Sequence, residues 1–218
     1  MISGQPDGLW HVYKNRYITC VHQLLAWGYE AIKDKVEAMH EEEQITGWLA
    51  KAMDEQLNAP QTPREYQHYS IHEEKPVHDQ YRTGKNRQRI DIVITYSQTS
   101  PRSQFCCEAK RLKKGSHTIA KYMGAEGLGC FLKDEYAPDQ NEAAMLGYIQ
   151  DASTQHWYSQ LNQSLQKAAK ESPSHVLEPL SEAKIHSDLA YEWRSRHQRS
   201  SQNPIDIYHI FFDFTAAQ

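Results

Sequence analysis

Arg89-Ile-Asp-Ile-Val-Ile-Thr-Tyr96 and, a short turn later, Ser103-Gln-Phe-Cys-Cys-Glu-Ala-Lys110 decide how this chain folds. The first segment is rich in β-branched residues, the second carries Phe105, Cys106 and Cys107 at its centre, and both are bounded by polar stretches, so both read as strands. Ser97 to Arg102, with Pro101, suits the turn between them, so the two strands are expected to pair. The pair contains a conflict. Asp91 sits among Ile90, Ile92, Val93 and Ile94, where an uncompensated carboxylate costs on the order of several kcal/mol. Glu108 and Lys110 are two residues apart, so strand alternation turns both to one face and Ala109 to the other.

Pairing of the two strands lets Asp91, Glu108 and Lys110 converge on one point. A divalent cation is the natural partner of two such acids. Magnesium takes hard oxygen ligands and keeps several waters, so two carboxylates and a phosphate oxygen can complete its shell. Lys110 would then lie beside a metal-activated water, able to orient it and to stabilise charge building on phosphorus oxygens.

The surrounding charge fits that chemistry. Between Arg82 and Lys121 there are ten Lys/Arg against two acids, Asp91 and Glu108, a local +8 (ten minus two) in a chain of net charge -4. Cations attract a polyanion while isolated acids hold metal. Arg87, Arg89, Arg111, Lys113 and Lys114 are the candidate contacts to a nucleic-acid backbone. A basic loop that merely solvates a hairpin is the plainer reading of the same residues.

Outward from the two strands, Tyr17 to about Asn58 carries helical periodicity, with Val21, Leu24, Leu25, Ile32 and Val36, then Ile45, Leu49 and Met53. Pro60 and Pro63 end that stretch. A strand is expected near Tyr66 to Val77, followed by a polar, basic connection from His78 to Gln88. Thr118 to Glu135, Asp139 to Gln150 and Thr154 to Lys170 read as helices, with Tyr122–Phe131 and Met145–Tyr148 forming a small-residue helix pair behind the strand of Lys110. Pro204 to Phe214 reads as a late, well-buried strand. Glu171 to Asn203 gives no clear reading, and Arg194, Arg196, His197 and Arg199 are expected in a basic loop there, solvated or gripping nucleic acid. The sum is an α/β sandwich in one domain, residues 1–218: a central mixed sheet flanked by helices, with an N-terminal helical segment.

Other features narrow the class. Cys20, Cys106, Cys107 and Cys130 lack the paired spacings of a zinc site and read as reduced, buried thiols. No run approaches the roughly 18 apolar residues that cross a bilayer, so a cytoplasmic chain with no membrane partner is expected. The glycines at 115, 124, 127 and 129 spell no phosphate-binding loop and suggest close packing. His117 stands where it would touch phosphate or cap the next helix.

Arg89-Ile-Asp91 followed seventeen residues later by Glu108-Ala-Lys110 resembles the two halves of the PD-(D/E)XK, or restriction-endonuclease-like, nuclease superfamily. Ile90 stands where the motif nominally has proline. The resemblance covers roughly residues 40–114. It implies a restriction-endonuclease-like core, Mg2+ dependence with Mn2+ able to substitute, and hydrolysis of DNA phosphodiesters, with Asp91 and Glu108 holding metal and Lys110 positioning water. Many members add a glutamate from an early helix. Glu41-Glu42-Glu43-Gln44-Ile45-Thr46 resembles that helix start as it occurs in bacterial restriction and anti-phage defence proteins, and Glu42, three residues before Ile45 and seven before Leu49, shares their buried face, with Glu43 the second choice. An acidic first turn favoured by the helix dipole is the structural alternative. The resemblance further suggests a companion defence protein supplying specificity or activation. A non-catalytic subunit that keeps the fold to bind nucleic acid or protein is the rival reading, and RNA is the rival substrate.

Overall fold

The computed structural model describes residues 7–77 and 87–215, with side chains from residue 16 onward. Two helices open the chain, α1 (Asp7–Ile32) and α2 (Glu42–Leu57). They cross closely at Gly28, where a Cβ would lie 2.6 Å from Met53 Cγ and 2.8 Å from Leu49 Cδ1. A 3-10 turn (Arg64–His68) leads into β1 (Tyr69–Pro76), then β2 (Arg89–Tyr96) and β3 (Ser103–Leu112). Two short helices follow, α3 (Ile119–Met123) and α4 (Leu128–Leu132), then β4 (Glu142–Ile149) and α5 (Thr154–Glu171). β5 (Val176–Glu182), β6 (Glu192–Gln198) and β7 (Pro204–Asp213) complete the chain.

The seven strands form one mixed sheet in the order β1-β2-β3-β4-β7-β6-β5. Its middle strands, β3, β4 and β7, are parallel, and all other neighbours are antiparallel. One face packs on α1 and α2 through Leu24, Leu25, Ile45, Leu49 and Met53 against Ile92, Ile94, Phe105 and Phe212. The other packs on α3, α4 and α5, whose Trp157, Leu161 and Leu165 form a buried stripe at four-residue spacing against Val93, Cys106 and Phe211. All four cysteines are unpaired and buried. Among the described residues no helix is long and apolar enough to cross a membrane.

Three readings of the sequence are corrected. Asp139 to Gln150, expected as a helix, contains the central strand β4. Ala143-Ala-Met-Leu-Gly-Tyr-Ile149 is buried on both faces, so it shows no alternation, and its residue types do not distinguish a doubly covered strand from a buried helix. The expected helix pair therefore does not exist: the glycine-rich half is helical and the other half is strand. Thr118 to Glu135 is broken into α3 and α4 because the chain turns sharply at Gly127, where a Cβ would lie 2.3 Å from Tyr122 O. The strand expected near Tyr66 to Val77 is present as β1, Tyr69–Pro76. The unread segment 171–203 holds β5 and β6. Pro179 is tolerated on β5 because it is an edge strand. β6 escaped notice because its buried positions are Glu192, Ser195 and His197 rather than apolar residues.

Candidate metal-dependent active site

The site forms where β2 and β3 part. Their ladder runs from Tyr96↔Ser103 to Ile92↔Cys107 and stops before Asp91 would face Glu108, whereas β3 stays paired with β4 as far as Leu112↔Ile149. Ala109 and Arg111 are two residues apart, so their amides point to the same edge of β3, the edge that β2 has left. Two carboxylates take over. Asp91 Oδ2 accepts from Ala109 N at 2.7 Å, and Glu42 Oε2 accepts from Arg111 N at 2.9 Å. A buried amide left unpaired costs about 1–3 kcal/mol, so these acids have a structural as well as a chemical reason to be here.

Glu42 arrives from the first turn of α2, and its second oxygen, Oε1, accepts from Lys110 Nζ at 2.9 Å. Lys110 Nζ also donates to Glu108 Oε1 at 2.9 Å and to Ala109 O at 2.7 Å, so all three of its N–H donors are used. Glu43 is exposed, which separates the two glutamates that sequence left open. α2 is anchored against β4 by Thr46 Oγ1 and Tyr148 OH, 3.1 Å apart.

Burial sets the electrostatics. It raises Glu108 to about 8, with Asp91 adding repulsion and Lys110 opposing the shift. Burial likewise raises Asp91 to about 6, against the Ala109 amide and Lys110, which lower it. For Lys110 burial favours the neutral amine, but Glu108 and Glu42 outweigh it and hold the ammonium charged well above its ordinary range. Glu108 Oε2 is buried without a hydrogen-bond partner.

Next to this cluster lies an open cleft of about 490 Å³, lined among others by Glu42, Glu43, Lys110, His117, Lys121 and Glu126. His117 is held by a backbone bridge to Lys113, closed by a turn at Gly115 with φ +77°, and Thr118 rather than His117 caps α3. Burial and the nearby Arg111 and Lys121 lower the His117 pKa.

Among the described residues, no three acidic, histidine or cysteine side chains gather closely enough to enclose a metal by themselves. The residues nevertheless fit a hard divalent cation that keeps most of its waters, since magnesium sites commonly use only one or two protein carboxylates. Asp91 and Glu108 offer such oxygens, Glu108 Oε2 lacks a partner, and Asp91 makes Glu108, as Glu42 makes Asp91, harder to ionise in the absence of added positive charge. Glu42 is a third carboxylate at hand.

The structure distributes the expected phosphate contacts unevenly. Arg111 borders the cleft but is turned mostly inward and already engaged. Its guanidinium, 5% exposed, pairs with Glu41 and donates to Gln150 Oε1 at 2.7 Å, while Gln150 Nε2 holds the α1–α2 loop at Glu37 O and His40 O. Lys113 Nζ donates to Ala38 O in that loop. Arg89 pairs with Glu74 at 3.2 Å, Arg87 is half-buried, and Lys114 is exposed. The second basic cluster is not a loop: Arg194 pairs with Glu178, His197 is buried, and the buried Arg199 reaches Asp134 at 3.3 Å and Ala137 O at 2.7 Å. Lys121, Glu41 and Gln150 were not singled out from the sequence. Gln150 had a readable signal, a lone amide closing an apolar run, whereas Lys121 had none.

Comparison with family models, with characterised proteins and with solved structures returns no match to this chain.

Proposed function

We propose that this chain is a divalent-metal-dependent nuclease with a restriction-endonuclease-like core, cutting DNA phosphodiester bonds at the site of Asp91, Glu108, Lys110 and Glu42. The observation that carries the reading is the meeting of these four side chains at the parting of β2 and β3, where the sequence motif alone required only the first three. The role in restriction or anti-phage defence, and a companion protein that directs the enzyme, rest on the sequence resemblance.

Asp91 and Glu108 would hold the cation, with Glu42 in support. Bound there, it would acidify a water and draw charge from a phosphoryl oxygen. Lys110 has no free donor in the resting site, so contacting a water or a phosphate means giving up one bond. Glu42 can release it at least cost, because its other oxygen keeps the Arg111 amide. The ammonium, charged at any working pH, then stabilises negative charge on the phosphorus oxygens. Glu41, Glu42, Glu43 and Glu126 on the cleft favour a cation and outnumber Lys110, Arg111 and Lys121, so bound metal should strengthen the entry of nucleic acid.

The test is cleavage of plasmid, single-stranded DNA and RNA with Mg2+, with Mn2+ and with chelator, comparing wild type, Asp91→Ala and Lys110→Ala after circular dichroism shows each to be folded. Loss of at least about a hundredfold in both variants is expected. Equal rates in the three proteins would remove the site from the chemistry, and a wild type that binds DNA but cuts nothing would favour the non-catalytic reading.

A further inference from the structure

A second cleft, of about 280 Å³, lies at the N-terminal end of α5, with Tyr158, Tyr191 and Trp193 as its aromatic wall and Ser153, Thr154 and Gln155 as its polar one. Tyr191 stacks on Trp193 with ring centroids 6.5 Å apart and planes within 16°, and Tyr158 lies against the same indole at 4.9 Å and 30°. Phe211 meets Trp193 edge-on at 5.2 Å and fixes it from the core. Tyr191 is 38% exposed and is the aromatic member of the exposed large hydrophobic side chains among the described residues.

This cleft shares a rim with the candidate active site. Leu112, Ile149 and Asp213 lie in register at the C-terminal ends of the parallel strands β3, β4 and β7. Lys110 is two residues short of that rim on β3. Tyr191 leads into β6 at the same rim, where Phe211 N donates to Tyr191 O at 3.0 Å. From β3 to β6 is three strand spacings, about 14 Å. The exposed Lys114 and the first turn of α5 stand between, with Lys114 N bonded to both carboxylate oxygens of Asp151 at 3.0 Å.

We propose that the Tyr191–Trp193–Tyr158 cleft is a base-stacking subsite that holds one unpaired base of a single-stranded nucleic acid, a few nucleotides from the bond held at Lys110. The inference rests on the nucleic-acid reading above and sharpens its substrate to a single strand or a frayed end. A duplex keeps its bases stacked on one another, so only an unpaired base offers a free face to Tyr191. Stacking on aromatic rings tolerates any base and either sugar, so the subsite adds affinity without sequence preference. Lys114 favours the phosphates that lead to it, while Asp213, which lines the cleft and accepts from Thr154 Oγ1 at 2.9 Å, already offsets the positive end of α5 and keeps phosphate out of the cleft itself.

The test is binding rather than cleavage. Fluorescence anisotropy of labelled single-stranded DNA and RNA oligonucleotides, with Ca2+ in place of Mg2+, compares wild type, Tyr191→Ala and Tyr191→Phe, with an abasic DNA and a blunt duplex as further ligands. Tyr191→Ala should bind single strands about five- to tenfold more weakly, and Tyr191→Phe, which keeps the ring, within about twofold of wild type. The abasic strand should lose the same factor on wild type and nothing more on Tyr191→Ala, and the duplex should not respond to the variant. Similar losses for DNA and RNA mark stacking blind to the sugar, and a loss confined to one fixes which strand the subsite takes. Equal binding of single strands by wild type and Tyr191→Ala, or of abasic and intact strands by wild type, overturns the subsite and leaves the nuclease reading standing. Tyr191-dependent binding by a protein that never cleaves overturns the catalytic reading and leaves the subsite.

Discussion

Replacing Glu108 by Gln should stabilise the folded protein at high pH while abolishing cleavage. In the fold Glu108 titrates at about 8 instead of its ordinary 4.5, chiefly through burial and then through Asp91. The unfolded chain gives up that proton near pH 4.5 and the folded chain keeps it to about 8, so folding takes up a proton in between. Stability from this group is fully present below pH 4.5 and is lost as pH rises through 8. At about 1.36 kcal/mol per unit, the shift corresponds to on the order of 3–5 kcal/mol. The substituted glutamine would have no charge to bury, and its amide NH2 would replace the unpartnered Oε2. Against this, Lys110 loses one of its two carboxylate partners. The expected net gain at pH 9 in chelator is about 1–3 kcal/mol, falling to nothing at pH 4.5. His197 and His209 titrate at lower pH without contact to Glu108 and cancel in the difference, whereas Asp91 is coupled to Glu108, so its response on the acid side of the window belongs to what the comparison measures. Urea denaturation followed by circular dichroism at pH 4.5, 7 and 9 measures it. A difference that is flat with pH, or that favours wild type at pH 9, refutes the reasoning.

Further outcomes follow from the buried networks and from the exposed Lys114. Arg111→Met should cost about 1–3 kcal/mol in urea melts, because Glu41 and Gln150 lose their partner, whereas Lys114→Ala should change stability by less than about 0.5 kcal/mol and weaken nucleic-acid binding instead. Ser195→Ala should cost about 2–4 kcal/mol at pH 7. Tyr122 OH donates to Met145 O and so accepts from His209 Nδ1, which makes Ser195 Oγ the donor to His209 Nε2 and the acceptor from His197 Nε2, and alanine leaves the Nε2 atoms of both rings unpaired. Burial lowers His209 to about 3, with His197 adding to the shift, and lowers His197 to about 4. The stability they contribute is present above pH 6.5 and lost as pH falls through those values, so a wild-type acid titration that shows no such loss would contradict the neutral chain.

The two strands that carry the site were legible because the first is a run of β-branched residues interrupted by a charge and the second a short apolar run, Phe105-Cys-Cys107, leading into charges at alternate positions. Asp91 among isoleucines could not be an ordinary core residue, and the two-residue spacing of Glu108 and Lys110 fixed their shared face before any fold was known. α5 was legible as well, since it is buried on one side only and keeps its period. What remained hidden depends on neighbours distant in the chain. β4 is covered on both faces, which erases the periodicity by which strands are read. β6 hides polar residues, since Glu192 pairs with His22 of α1 and Ser195 joins two histidines. Sequence placed Arg111 among the phosphate contacts because charge density counts residues without directions, and alternation along β3 sent it inward to Glu41 and Gln150. Local chemistry determined which residues conflict with their surroundings. Only the parting of β2 from β3, set by how the whole sheet packs, decided that Asp91 and Glu42 would resolve the conflict by capping the amides of Ala109 and Arg111, since a hydrogen bond between residues 69 positions apart leaves no trace in either one's neighbours.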